Sequence, residues 1–139
     1  MMARYSASGS QTLTTSAATA LSFAAQSTAH RNCVYEMWFG NVGSPADQVS
    51  VHTVQRITTD GSGTAVTPTA LDTGDRASQC TCLENHTSEP TYTSNTEVLE
   101  IPLNHREIWT PATNNNGLGF KSLHASVTTD WRVGAMWEE

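Results

Sequence analysis

The sequence is poor in charged residues, and above all in lysine. Charged residues occupy 14% of its 139 positions, against about 25% in ordinary soluble domains. Lys121 is the only lysine, and the formal net charge is −6. A protein that binds DNA or RNA directly needs a basic stripe to displace counterions from the phosphates. We therefore expect no direct contact with nucleic acid.

Long apolar runs are lacking as well. No stretch approaches the roughly 18 consecutive apolar residues of a membrane-spanning helix. The first thirty residues contain only Leu13, Leu21 and Phe23 as strongly apolar side chains, fewer than the core of a secretory signal requires. The sequence thus predicts no membrane association and synthesis in a reducing cytoplasm.

Cysteines are few and odd in number, so at least one of Cys33, Cys80 and Cys82 has no partner within the chain. A structural zinc site needs four soft ligands at regular spacing, and neither a CxxC nor an HxxxH pattern occurs. We expect small buried or half-buried thiols and no zinc centre.

Residues 58–77, "TTDGSGTAVTPTALDTGDRA", contain most of the features that suggest a ligand loop. Asp60, Ser62 and Thr64 alternate as in a calcium loop, but Leu71 stands where such a loop needs a bidentate glutamate. The glycines do not match a phosphate-binding pattern. The stretch is interpreted as a hairpin-like turn followed by a surface connection, and no metal or other cofactor is expected.

No catalytic signature stands out. The sequence has no G-x-S-x-G pattern, and neighbours such as His105 and Glu107 do not form a catalytic set without a third group and a pocket. We therefore expect a protein that is not an enzyme.

What the sequence does contain is strand pattern. Serine and threonine form about a quarter of the chain, and threonine suits a pleated surface. Period-two alternation in segments such as "VYEMWFG" and "SLHASVTTDWRVGAMWEE" is separated by turn-forming residues. This pattern predicts one all-β domain over residues 1–139, a β-sandwich or jelly-roll-like fold whose last two strands form a hairpin.

Residues 1–25 are interpreted as an extended N-terminal arm or an edge strand. Such a segment either lies on a neighbouring molecule and extends its sheet or pairs within its own sheet, and both remain open. The four tryptophans, at positions 38, 109, 131 and 137, fit a core, a subunit interface or a platform for sugars.

Three segments carry a family resemblance: "ARYSASGSQTLTTSAATALSF", "ITTDGSGTAVTPTALDTGDRA" and "IPLNHREIWTPATNNNGLGFKSLHASVTTDW". They resemble head decoration (cement) proteins of tailed bacteriophages. The resemblance implies a virion protein on the capsid exterior that binds the major capsid protein, bridges its subunits and assembles as a homotrimer. The candidate interface residues are Tyr5, Leu13, Trp131 and Trp137. The alternatives are a carbohydrate-binding adhesion module on the virion and a tail or connector component.

Overall fold

The computed structural model describes residues 2–13, 16, 18–28, 30–42, 50–97, 107–124 and 129–139. Within these residues the chain forms strands and no helix, which confirms the all-β prediction. No described helix is therefore long and apolar enough to cross a membrane. The described strands are β1 (Arg4–Leu13), β2 (Ala18–Ala25), β3 (Cys33–Val42), β4 (Ser50–Thr59), β5 (Ser62–Val66), β6 (Thr69–Ala70), β7 (Cys80–Ser88), β8 (Thr91–Glu97), β9 (Ile108–Trp109), β10 (Gly117–His124) and β11 (Thr129–Glu138).

The strands form two antiparallel sheets that pack against each other as a β-sandwich. The five-stranded sheet has the order β6-β1-β11-β3-β9, and the six-stranded sheet has the order β5-β7-β2-β10-β4-β8. The main contacts between the sheets join β1 to β2 and β7. The sandwich expected from the alternation is thus confirmed.

The N-terminal segment is built into both sheets. Strand β1 pairs with β11 along its whole length, from Arg4 opposite Glu138 to Leu13 opposite Thr129. Strand β2 lies between β7 and β10 in the six-stranded sheet. Of the two alternatives left open for residues 1–25, the described strands show pairing within the chain's own sheets. Strand β2 has a neighbour on each side. Strand β1 pairs with β6 only at Tyr5 and Ser6, so from Ala7 onwards it is an edge strand among the described strands.

The predicted C-terminal hairpin is wrong. Strand β10 pairs with β2 and β4, whereas β11 pairs with β1 and β3 in the opposite sheet. Residues 125–128 lie outside the described residues. Alternation within each strand identifies an inner face, and both strands do bury one face, but it does not identify the strand that pairs with it.

The turn predicted at "DGSG" is instead a corner of the six-stranded sheet. Strands β4 and β8 pair Thr59 with Thr91, and β5 and β7 pair Ser62 with Ser88. Since β5 follows β4 after two residues and β8 follows β7 after two residues, the four strands form one antiparallel ribbon. The ribbon joins the two edges of the six-stranded sheet. The sheet therefore curls until these edges meet.

Gly61 permits this corner. A Cβ atom placed on Gly61 would lie 2.0 Å from the carbonyl oxygen of Ser88 and 2.9 Å from the backbone of Glu89 and Pro90. These contacts are with backbone, which cannot rotate away as a side chain would. The two ribbon strands therefore cross here at a distance that only glycine allows.

Aromatic side chains fill the space between the sheets. Phe23 stacks on Trp137 with ring centroids 5.5 Å apart and an interplanar angle of 4°, and it also meets Phe120 at 6.3 Å. Aromatic pairs at such distances add to the apolar burial that drives folding. The largest fully buried side chains are Trp131, Trp137, Tyr5, Phe23, Phe120, Leu21, Ile57, Leu118, Val34, Val54 and Val133.

Candidate functional site

The predicted interface residues lie in the core. Tyr5, Trp131 and Trp137 each have no exposed surface, because each occupies an inward position of β1 or β11. They cannot contact another subunit in this fold, so their assignment to an interface is corrected to the core of a single chain. The side chain of Leu13 lies outside the described part of the structure.

Two other tryptophans are exposed. Trp38 on β3 is 41% exposed and Trp109 on β9 is 36% exposed. The guanidinium carbon of Arg31 lies 5.2 Å from the centre of the Trp109 ring, and Arg56 donates a hydrogen bond to the Trp109 carbonyl at 2.9 Å. Trp109 is thus partly covered by arginine side chains.

Trp38 lies on the outer face of the five-stranded sheet, across Gly134 of β11. These residues are directly opposite in the β3–β11 register. A Cβ atom on Gly134 would lie 2.3–2.4 Å from three indole atoms of Trp38. The absent side chain of Gly134 therefore lets the indole rest against the backbone of the sheet, which restricts its motion and leaves it open to solvent.

A shallow cavity of about 270 Å³ adjoins the indole. Hydroxyl groups and small apolar side chains form most of its wall, and no residue of the wall carries a charge. We call this region the Trp38 surface; its residues are Ser6, Ala7, Ser8, Trp38, Val66, Thr67, Thr69 and Met136.

A second exposed apolar region lies near the N-terminus. Met2 and Leu71 are each 49% exposed and line a cavity of about 570 Å³ together with charged side chains, among them Arg4 and Glu138. Arg4 Nε lies 2.5 Å from Glu138 Oε1 in an ion pair. We call this the Met2–Leu71 surface.

The corner of the curled sheet contains a buried polar cluster. Ser22 Oγ contacts Asp60 Oδ1 and lies 3.0 Å from His86 Nε2. His86 Nδ1 lies 3.1 Å from the carbonyl oxygen of Thr19. Ser22 and Thr19 have no exposed surface, and His86 is also buried.

This cluster differs from a nucleophilic triad. In a Ser-His-Asp triad the carboxylate holds one ring nitrogen while the other faces the serine. Here Asp60 contacts Ser22 itself, and a backbone carbonyl occupies the position opposite His86 Nδ1. Because Ser22 is fully buried, its hydroxyl is also closed to a substrate.

Burial dominates the electrostatics of the cluster. It raises the pKa of Asp60 above its ordinary value, although the hydrogen bond between Asp60 and Ser22 opposes the rise. It lowers the pKa of His86, against the opposing effect of the Asp60 and Glu89 charges. Both shifts favour the neutral forms of these two side chains.

The described residues include no group of three or more histidine, cysteine or acidic side chains placed to hold a metal ion. Asp60, the first residue of the calcium-like pattern, contacts Ser22 and accepts a hydrogen bond from the Gly61 amide at 3.1 Å. Ser62 and Thr64 lie within strand β5 rather than in a loop.

The three cysteines are free and buried, as predicted. Asn32 Nδ2 donates to the sulfur of Cys80 at 3.4 Å. Burial, reinforced by a hydrogen bond with Glu107, raises the pKa of Cys33 to about 12, and burial likewise raises the pKa of Cys80.

We expect iodoacetamide at pH 8 to alkylate Cys33 roughly a thousandfold more slowly in the native protein than in 6 M urea, because the thiolate is the reactive form and an unperturbed thiol has a pKa of about 8.5. Mass spectrometry of peptides after timed quenching measures the rate. Equal native and denatured rates would contradict the burial of this thiol.

The chain matches no protein-family model, no curated protein and no solved structure in the three comparisons made.

Sequence reasoning missed both the Trp38 surface and the buried cluster. Strict alternation in "VYEMWFG" would put Val34, Glu36 and Trp38 on one face. The β3–β11 register shifts beside Glu36, so Val34 is buried while Glu36 and Trp38 are exposed. Ser22, Asp60 and His86 come from distant parts of the chain, and no spacing pattern joins them.

Proposed function

We propose that this chain is a structural protein of a tailed-phage virion that decorates the capsid exterior and bridges major capsid protein subunits. It acts by contact and not by catalysis. The resemblance of three long segments to cement proteins supports this proposal, as does the architecture, a β-sandwich with exposed apolar side chains.

The Trp38 surface is the contact that the proposal assigns to the capsid, and the exposure of Trp38 is the observation that carries it. Tryptophan is among the side chains that contribute most to protein–protein binding. Trp38 rests on Gly134 in the interior of the sheet, so little conformational freedom is left to lose on binding.

A bridging protein needs more than one contact. The Met2–Leu71 surface supplies a second, which the proposal assigns to a neighbouring capsid subunit or another copy of the chain in a trimer. Each contact can be weak, because simultaneous binding at several points raises the effective concentration of the others.

The test is binding of the purified chain to capsids that lack it. Trp38→Ala is expected to lower the affinity by a factor of about 30 or more, corresponding to a hot spot of about 2 kcal/mol, with little change in melting temperature. Sedimentation of capsids with bound protein measures occupancy. Trp109→Ala is the matched control and is expected to bind nearly as well as the parent.

Two outcomes separate the parts of the proposal. Unchanged occupancy for Trp38→Ala would move the contact elsewhere on the domain, while failure of the parent chain to bind any capsid would remove the decoration function. Virions lacking the protein are expected to lose DNA at lower temperature and on osmotic shock.

Recognition of a neutral saccharide is the second candidate, favoured by the composition of the Trp38 surface. An exposed indole beside four hydroxyl side chains and no charge suits a sugar, whose apolar face stacks on an aromatic ring and whose hydroxyls need neutral partners. Virions that lack the protein, resist heat and shock normally, yet fail to adsorb to cells would favour this function.

A further inference from the structure

The buried cluster at the sheet corner contains more hydrogen-bond acceptors than its ordinary protonation states can supply with protons. Three groups form a row: Asp60 in the β4–β5 connection, Ser22 on β2 and His86 on β7. The row ends at the carbonyl oxygen of Thr19. Counting the protons along it determines which protonation states the folded protein tolerates.

The Thr19 end fixes the histidine tautomer. A backbone carbonyl only accepts hydrogen bonds, and His86 Nδ1 lies 3.1 Å from it, so Nδ1 carries a proton. In a neutral imidazole the second nitrogen, Nε2, is then an acceptor, and it faces Ser22 Oγ at 3.0 Å.

The Ser22 hydroxyl has a single proton to donate. It lies between His86 Nε2 and Asp60 Oδ1. If Asp60 were a carboxylate and His86 neutral, the single Ser22 proton could fill only one of these two contacts, and the other would bring two acceptors together, although Asp60 Oδ1 would still accept from the Gly61 amide. Leaving a buried polar group unpaired costs about 1–3 kcal/mol, and more for a charged one.

We propose that Asp60 and His86 share one proton through Ser22, so that the corner is a proton-binding site that stays occupied above the pH at which a free histidine loses its proton. Two arrangements place one proton in each contact of the row. Either Asp60 is a neutral acid that donates to Ser22, which donates to His86, or His86 is an imidazolium that donates to Ser22, which donates to the Asp60 carboxylate.

The surroundings favour the first arrangement, in which both groups are neutral. Burial raises the pKa of Asp60 and lowers that of His86. Asp60 Oδ2 is buried and contacts no hydrogen-bond donor among the described residues, which is less costly for a neutral acid than for a carboxylate.

The other titratable groups at the corner have contacts of their own outside the row. Thr19 Oγ1 donates to Glu89 Oε2, and the Tyr92 hydroxyl therefore donates to Thr19 Oγ1 at 2.6 Å. Lys121 Nζ lies 4.8 Å from the centre of the Tyr92 ring. The Glu89 charge raises the pKa of His86, so it too opposes loss of the proton.

The sign of the pH dependence follows from the proton count. In the unfolded chain, aspartate and histidine titrate near pH 3.9 and 6.5, so between those values both states hold one proton and the pair gives no slope. Above about pH 6.5 the unfolded chain loses its proton while the folded protein keeps it. Stability then falls as pH rises, by up to tenfold per pH unit in the unfolding equilibrium constant, until the folded pair deprotonates.

The experiment compares urea unfolding of the parent chain and Asp60→Asn between pH 5 and 9. Asparagine cannot titrate, and its amide donates to Ser22 at every pH. Because the amide nitrogen cannot also accept from the Gly61 amide, the variant is expected to be less stable throughout. The readout is the slope above pH 6.5, which is expected to differ from that of the parent by up to one proton.

Asp72→Asn is the matched control. Asp72 is exposed and accepts a hydrogen bond from the Gly74 amide at 2.9 Å, away from the cluster, and its variant is expected to keep the slope of the parent. A slope for Asp60→Asn equal to that of the parent would overturn the proposal.

A second measurement on the parent chain needs no variant. The ring nitrogen resonances of His86 in long-range ¹H–¹⁵N spectra are expected to show the neutral tautomer protonated at Nδ1, unchanged from pH 5 to 8. An imidazolium that persists over this range would show that His86 holds the shared proton, and the proposed proton-binding site would still stand. Titration of His86 near pH 6.5, as for a free histidine, would refute the shared proton.

Discussion

A chain that begins after residue 13 is expected not to fold. Strand β1 contributes ten consecutive pairs with β11, and it carries Tyr5, which is fully buried and donates from its hydroxyl to the Arg76 carbonyl at 2.9 Å. Replacing one large buried aromatic residue with alanine costs about 3–5 kcal/mol, and the deletion removes a whole strand with it. The total exceeds what a domain with a stability of about 5–15 kcal/mol tolerates.

Circular dichroism in the near and far ultraviolet and urea titration measure this outcome. Tyr5→Phe is the control, because it keeps the ring and removes only the bond to Arg76, at a cost of about 1 kcal/mol. A deletion variant that unfolded cooperatively at the urea concentration of the parent would show that the segment is a separable arm.

The strands were predictable because burial of one face of a sheet makes apolar residues recur at every second position of a strand. The pairing of β1 was not predictable, since its inward positions include Ala7 and Gly9, and the buried residue just before it is Ala3. These residues are too small to give a strong apolar signal, although their size suits the close approach of the two sheets. A strand of serine, alanine and glycine therefore looked like an arm.

Strand partners were predicted less well than strands. The alternation of β10 and β11 identifies an inner face in each, but pairing across distant parts of the chain decides which sheet each one joins. Strand β2 illustrates another limit, because all eight of its residues are buried. Thr19 and Ser22 are among them, satisfied by partners from the corner ribbon that no local pattern reveals.

The Trp38 surface was also hard to predict, because it depends on strand pairing and not on the strand pattern alone. An inward-facing tryptophan and one at a subunit interface leave the same alternation, since both positions exclude water. Sequence alone could not separate Trp137, which is in the core, from Trp38, which is exposed. The register shift in β3 and the missing side chain of Gly134 decide the difference.

Trp137→Ala is expected to lower the stability of the fold strongly, whereas Trp38→Ala is expected to change it little. Trp137 stacks on Phe23, meets Tyr5 at 6.0 Å between ring centroids, and donates from Nε1 to Glu139 at 3.1 Å. Its truncation leaves a cavity in the middle of the sandwich and is expected to cost about 3–5 kcal/mol of unfolding free energy. The same truncation at the exposed Trp38 is expected to cost less than about 1 kcal/mol.

Urea unfolding followed by circular dichroism measures both costs, and light scattering on the folded protein reports the oligomeric state. If Trp137 were an interface residue, its variant would remain folded as a smaller species with nearly the stability of the parent subunit. A core residue instead gives a destabilised chain whose folded fraction keeps the association state of the parent. The second result is the one expected, because replacing a side chain with no exposed surface changes the interior of the domain before it changes any surface that another molecule contacts.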